Sequence, residues 1–209
     1  MVGFKLNKTN NLTEFQHDSL CEIANIGFGN AATSLSKLVG DEVAIKVPSL
    51  QLQRIEKIPQ VIGGEESVVY GIVMQIYGDL NGYMTILLPV ESVNSISSKL
   101  LSNFDEETKN EMIMSMMEEI GHILGGTYVT SLSNFLNMNI SIDTPSATYD
   151  MAGAILDLVL IEMSKDFEHS LVLDTEMKVK NDIVEGNILV LVDTASLKII
   201  MDIIDGMVS

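Results

Sequence analysis

Two long stretches of this chain place apolar residues three and four positions apart. From Thr13 to about Gly40, the residues Leu20, Ala24, Gly27, Ala31, Leu35 and Leu38 form one stripe at helical periodicity. From Lys109 to Leu136, the residues Met117, Gly121, Leu124, Tyr128, Leu132 and Phe135 do the same. Both patterns predict long helices. Thr13 is the expected N-cap, with Gln16 as its capping-box partner, and Gly40 is the expected stop. Other stretches alternate. Glu42 to Leu52 predicts a strand broken near Pro48, and Ile58 to Glu66, with Gly63-Gly64, predicts a loop. Val68 to Tyr77 and Tyr83 to Leu88 predict two strands joined around Gly78 and the hairpin signal Asn81-Gly82. Ser92 to Leu101 predicts a shorter helix, and Ser102 to Glu107 a polar junction. Past the second long helix, Ile140 to Ile142 begins a strand interrupted near Pro145. Ala152 to Ile161 fits helix or strand and has no clear counterpart earlier. Ser170 to Val179 and Ile188 to Val192 read as strands with Glu185-Gly186-Asn187 at their turn, and Ala195 to Ile204 as a closing helix. Residues 1–11 read as a polar arm.

The polar positions add more. Opposite the first stripe lie Asp18, Glu22, Asn25 and Gly29, within roughly 60° of one another on a helical wheel. Pro48 follows. The second helix carries Ser115, Glu119 and His122, followed by Pro145, each 97 residues after its counterpart. A matched series of intervals predicts a tandem duplication with a polar face in each half. The expected organisation is one domain over 12–208, with halves 12–107 and 108–208, packed with pseudo-symmetry.

Composition bounds the function. A net charge of −17 argues against nucleic acid and anionic membrane as partners and permits attraction to a basic patch on another protein. The longest apolar runs fall short of a membrane span, and no secretory signal is read at Met1. The single Cys21 excludes an internal disulfide and fits a reducing cytoplasm; it reads as an apolar filler on the first helix. His17 and His169 read as surface residues. The 13 methionines suit either an adaptable core or a binding surface.

Glu and Asn on one helix face suggest chemistry by positioning. An Asn amide has no useful acid or base pKa, but it can hold and orient a water. A Glu can pair with a cation that a partner supplies. Phosphoryl transfer is the reaction class in which such positioning suffices. Three rival motifs fit less well. Gly27-Phe28-Gly29-Asn30-Ala31-Ala32 matches a dinucleotide fingerprint but lies inside a helical pattern. Glu119 and His122 match a di-iron spacing that Asn25 breaks in the other copy. No Ser-His-Asp set or nucleophilic cysteine is visible.

The segment from Asp18 through Glu22 and Asn25 to Ala32, with Pro48 beyond it, resembles the CheC family of chemotaxis phosphatases within the CheC/CheX/FliY superfamily. The segment from Ser115 through Glu119 to Val129 resembles that family's second copy. The resemblance runs from about Thr13 to Met207. It implies an α+β fold, with two long helices packed on a mainly antiparallel sheet. It also implies a substrate, the phospho-aspartate of the response regulator CheY, and a further partner, the deamidase CheD. By that likeness Glu22 pairs with the regulator's lysine and Asn25 sets the attacking water. Asp18 supports the face and Pro48 shapes the strand beside it. The Mg2+ is expected in the regulator, and no cofactor is expected in this chain. Glu119 keeps the pairing role, while His122 departs from the pattern; hydrolysis, docking and no role at all are open to this second face, which Ser115 and Pro145 flank. A cytoplasmic monomer is expected. The alternative is a binding module that sequesters CheY or regulates CheD with feeble hydrolysis. A FliY-like switch protein would carry a further domain, and CheX proteins carry a single site.

Overall fold

The computed structural model describes residues 12–61, 64–162, 169–179 and 182–207. The polar arm 1–11 and Gly63 of the expected loop lie outside these. Thr13 caps α1 (Glu14–Val39) as its sequence predicts: its hydroxyl accepts from the Gln16 amide at 3.2 Å, and the Gln16 side chain accepts from the Thr13 amide at 3.0 Å. Gly40 ends the helix in the left-handed region, at φ 70°. Then come β1 (Val43–Arg54), a 3-10 turn (Ile55–Lys57), α2 (Ile58–Val61), β2 (Val68–Gly78), β3 (Gly82–Pro89) and α3 (Val90–Leu100). The second half runs α4 (Glu106–Leu136), β4 (Ile140–Ile142), β5 (Ser146–Met151), α5 (Ala152–Glu162), β6 (His169–Val179), β7 (Asp182–Val192) and α6 (Thr194–Gly206).

The strands form one antiparallel sheet in the order β1-β6-β7-β3-β2-β4, with β5 continuing beside β2 after β4. Matching β1 to β4 and β5, β2 to β6 and β3 to β7, the order reads the same from either end. The centre is the β7–β3 pair. Each half's first strand pairs with the other half's hairpin: β1 lies beside β6, and β4 and β5 lie beside β2. The 97-residue interval is kept in the geometry. Gly40 and Asn137 both end their helices with positive φ, and β1 and β4 open at Val43 and Ile140.

The larger core lies on one face of the sheet. There α1 and α4 bury Leu20, Ile23, Phe28, Met117, Ile120 and Tyr128 against Ile72, Met74, Met84 and Ile86. The other face is covered by α5 and Ile58, over Val69, Leu87, Leu189 and Leu191.

Six readings need correction. The expected loop from Ile58 to Glu66 begins with a helical turn, α2, over Ile58–Val61. Glu185-Gly186-Asn187 is not a turn but lies within β7, opposite Glu176, Thr175 and Asp174. Gly186 is small because an added Cβ would stand 2.4 Å from a Leu88 methyl. Asn81-Gly82 makes no two-residue turn either. The loop is Asp79–Asn81, the positive φ is at Gly78, and Gly82 sits in β3 against the Leu191 carbonyl. Leu38 is 45% exposed, because Ala32 and Leu35 carry the buried face in the last turns of α1. His169 is buried at the start of β6, paired with Arg54 across the sheet, and is no surface residue. Finally, Ala152 to Ile161 is helix, and it does have an earlier counterpart in the single turn of α2.

Candidate functional site

Helices α1 and α4 pack side by side on the sheet. Gly27 permits their close approach: a Cβ there would lie 2.9 Å from the Tyr128 Cα. Next to it the Phe28 and Tyr128 rings stack, with centroids 5.5 Å apart and planes 19° from parallel. Burial of Tyr128 pushes its hydroxyl far above the ordinary tyrosine range, so it stays neutral and structural.

With the apolar stripes turned inward, the polar residues face out. Asp18, Glu22, Asn25, Ser115, Glu119 and His122 are all exposed. The side chains of Glu22, Asn25, Ser115, Glu119 and His122 make no hydrogen bond or ion pair with any other described residue. Asp18 lies 3.4 Å from the Nδ1 of His17. Two acid-amide or acid-imidazole pairs thus stand without a partner among the described residues, on packed helices, with their capacity directed outward.

Each face continues one turn further than the motif that first marked it. Gly29 follows Asn25 by four residues, and Gly126 follows His122 by four. Their carbonyls accept the hydroxyls of Thr33 and Thr130, at 3.2 and 2.7 Å. Both pairs keep the 97-residue interval. Gly29 already stands on the expected polar face of α1, and the same interval leads from it to Gly126. Glycine inside a helix costs roughly 1 kcal/mol relative to alanine, so this chain carries that cost at matched places.

The two prolines are set differently. Pro48 is exposed, where the β1–β6 register shifts between Lys46 and Ser49. Pro145 is buried between β4 and β5 and reaches toward Gly121, where an added Cβ would meet the Pro145 Cβ at 3.4 Å. It therefore props α4 one residue before His122.

The rival motifs fit the geometry poorly. The Gly27–Ala32 segment lies mid-helix in α1, where helix and not strand leads into it and its first glycine serves helix packing. Glu119 and His122 point to solvent and not into a bundle interior, where carboxylate-bridged metals sit. A cavity of about 460 Å³ lies on the opposite face of the sheet, lined by Val73, Tyr83, Ala154 and Ile155, away from both polar faces. Neither polar face supplies a lining residue to that cavity, and exposed side chains on packed helices suit a macromolecule better than a small ligand. Among the described residues, no helix is long and apolar enough to cross a membrane.

An α+β fold with paired helices on an interleaved antiparallel sheet, each displaying an outward acid, defines the CheC/CheX/FliY class. Residues 15–51 match the CheC-like family, and residues 70–160 match the family of the chemotaxis phosphatase CheX. The chain is 31% identical over 172 residues to the CheY-P phosphatase CheC of Bacillus subtilis (strain 168), covering 80% of this chain and 82% of that protein. It therefore belongs to the CheC-like family. Among solved structures, Thermotoga maritima FliY superposes with a TM-score of 0.73 at 20% identity, over 93% of this chain and 98% of that one. The FliM middle domain from H. pylori gives 0.63 at 12% identity, over 92% and 99%. At such identities these two likenesses speak for the fold alone.

Proposed function

We propose that this chain hydrolyses the phospho-aspartate of a CheY-type response regulator. One observation carries the reading: Glu22 and Asn25 stand on α1 exposed and without a partner among the described residues, one turn apart, in a member of a family that includes a CheY-P phosphatase. In the reaction, α1 enters the regulator's phosphorylation cleft. Glu22 pairs with the regulator's lysine and fixes the approach. The Asn25 amide accepts a hydrogen from a water and aims its oxygen at phosphorus. The oxygen–phosphorus bond forms as the acyl-phosphate bond breaks, the aspartate leaves as carboxylate, and inorganic phosphate is released. No atom of this chain becomes covalently linked. The magnesium ion implied by the family likeness belongs to the regulator, and no residue of this chain is assigned to hold it. Asp18 supports the face of α1, and Pro48 shapes β1 beside it. Glu119 and His122 repeat the pair on α4, where an imidazole replaces the amide. The cytoplasmic location expected from the lone Cys21 accompanies this reading.

The test is phosphate release from phosphorylated CheY with this protein at sub-stoichiometric concentration. Many phosphates per chain, and loss of most of that turnover in Asn25→Ala, are expected. At most one phosphate per chain would favour sequestration, and wild-type turnover in Asn25→Ala would remove that residue from the mechanism. A role in regulating CheD draws on a separate feature. Leu158 and Ile161 on α5 are 61% and 78% exposed, close in sequence to exposed Tyr149 and Met151, and offer an apolar docking strip remote from the polar faces.

A further inference from the structure

Five glycines lie within the packed lengths of α1 and α4, and three have evident reasons. Gly27 admits the Tyr128 backbone, Gly121 admits Ile72, and Gly125 admits the Met74 sulfur. Gly29 and Gly126 have none of these. A Cβ at either would meet nothing within 4 Å, and neither has a positive φ. Neither packing nor backbone conformation within the chain asks for glycine there. Both stand one turn beyond the residue assigned to hold the water. The threonine of the next turn on each helix folds its hydroxyl back onto the glycine carbonyl, away from a partner.

We propose that Gly29 and Gly126 are clearance residues: they bare one turn of helix backbone beside Asn25 and His122, so that the phosphorylated regulator can lie against it. The argument is one of side-chain height. Asn25 carries its amide only two carbons from the backbone. For that amide to reach a phosphorus inside another protein's cleft, the helix itself must come down to the rim. Any side chain on the adjacent turn as tall as Asn25 would strike the rim first and hold the amide back. Glycine removes the obstacle, and the tied-back threonine extends the step. This inference rests on the phosphatase reading and names the positioning element that the reading requires. Gly29 and Gly126 touch no reacting atom; they act through the approach of the partner.

The test isolates the first face in a His122→Ala background and compares Gly29→Ala, Gly29→Gln and Asn25→Ala. Phosphate release gives KM and kcat, beryllofluoride-loaded CheY gives the docking affinity, and thermal unfolding gives stability. Gly29→Ala is expected to raise Tm by about 2–4 °C, since alanine favours the helix. Gly29→Gln is expected to raise KM and weaken docking by about tenfold or more, with kcat changed less than about threefold and Tm at or above the parent's. Asn25→Ala is expected to show the opposite split, a low kcat at near-parental KM. Parental KM in Gly29→Gln, or a fall in Tm for either glycine variant, overturns the clearance role. If Asn25→Ala also keeps its kcat, the phosphatase reading itself fails; if Asn25→Ala is dead while Gly29→Gln is normal, only the clearance role fails.

Discussion

Helices α1 and α4 keep an acid, a glycine and a threonine in register on their outer faces and exchange aromatic and small residues on their inner ones. Outward, Glu22 and Glu119, Gly29 and Gly126, and Thr33 and Thr130 are identical at one constant interval. Inward, the aromatic ring has changed places: α1 has Phe28 and then Ala31, while α4 has Gly125 and then Tyr128 at the equivalent positions. Ala24 of α1 corresponds to Gly121, which lets Ile72 and Pro145 approach α4. Cores accept such exchanges when the total volume is kept. An exposed acid, glycine and threonine have no packing reason within the described fold to stay in register. A demand from outside the chain would supply one, and that is the physical ground of the partner proposed above.

The largest effect should come from the inner side and leave the chemistry of the faces intact. Truncating the fully buried Tyr128 to alanine removes the ring stacked on Phe28 and should cost about 3–5 kcal/mol of stability by denaturant unfolding. Turnover measured well below the melting range should fall far less. Equal losses of both would show that the faces depend on helix packing more closely than the comparison suggests. Next in size, Asn25→Ala should lower turnover at the first face by about a hundredfold, with an unfolding midpoint at or slightly above the parent's, since alanine favours the helix. The double variant Asn25→Ala/His122→Ala should add nothing to the regulator's spontaneous dephosphorylation, measured by phosphate release.

How far these differences could be read from sequence depended on what each residue signals. Caps and periodicity are local, so the limits of α1 and the outward set of polar residues were legible. The sheet was less so, because β1 pairs with β6 of the other half, more than a hundred residues away, and no local pattern encodes that partner. Gly82 and Gly186 look like turn residues in the sequence for one reason: glycine marks a close approach of neighbouring chains as readily as a turn, and only the neighbours, Leu191 and Leu88, tell the two apart. The helix α5 was ambiguous because its run is apolar on nearly every side, and its counterpart α2 is a single turn, too short to show a period. Within the site, the interval marks Glu22 and Asn25 and helical periodicity adds Gly29 to their face, whereas Thr33 carries no charge and its bond to the Gly29 carbonyl shows only in three dimensions.

The second face can be sharpened by one exchange. His122→Asn gives α4 the amide that α1 already has, without touching the core, because residue 122 is exposed. In an Asn25→Ala background, where only α4 is left, phosphate release should rise by up to about tenfold. An unchanged rate would mean that α4 serves docking alone, and that the difference between the faces lies in their setting, buried Pro145 against exposed Pro48, and not in the amide.

The smallest expected effect separates the first turns of the two motifs. Cys21, half-buried beside Glu22, has its thiol held above the ordinary range, first by burial and then by the Asp18 carboxylate. The His17 ring lies 3.7 Å from the sulfur. The helix α4 has Glu118 and Ser115 in these places, so only α1 can report on its own flanking acid in this way. Alkylation proceeds through the thiolate, so at pH 8 Cys21 should react more slowly with iodoacetamide than free cysteine does, and faster as the pH rises through its raised pKa. Asp18→Asn removes the nearby negative charge, lowers that pKa and should speed alkylation at pH 8. The gain should be only about two- to threefold, since burial is the larger cause and persists. An unaltered or slower rate would show that Asp18 points away from Cys21 in solution. The Asp-to-Ser difference between the two faces would then carry no electrostatic consequence for α1.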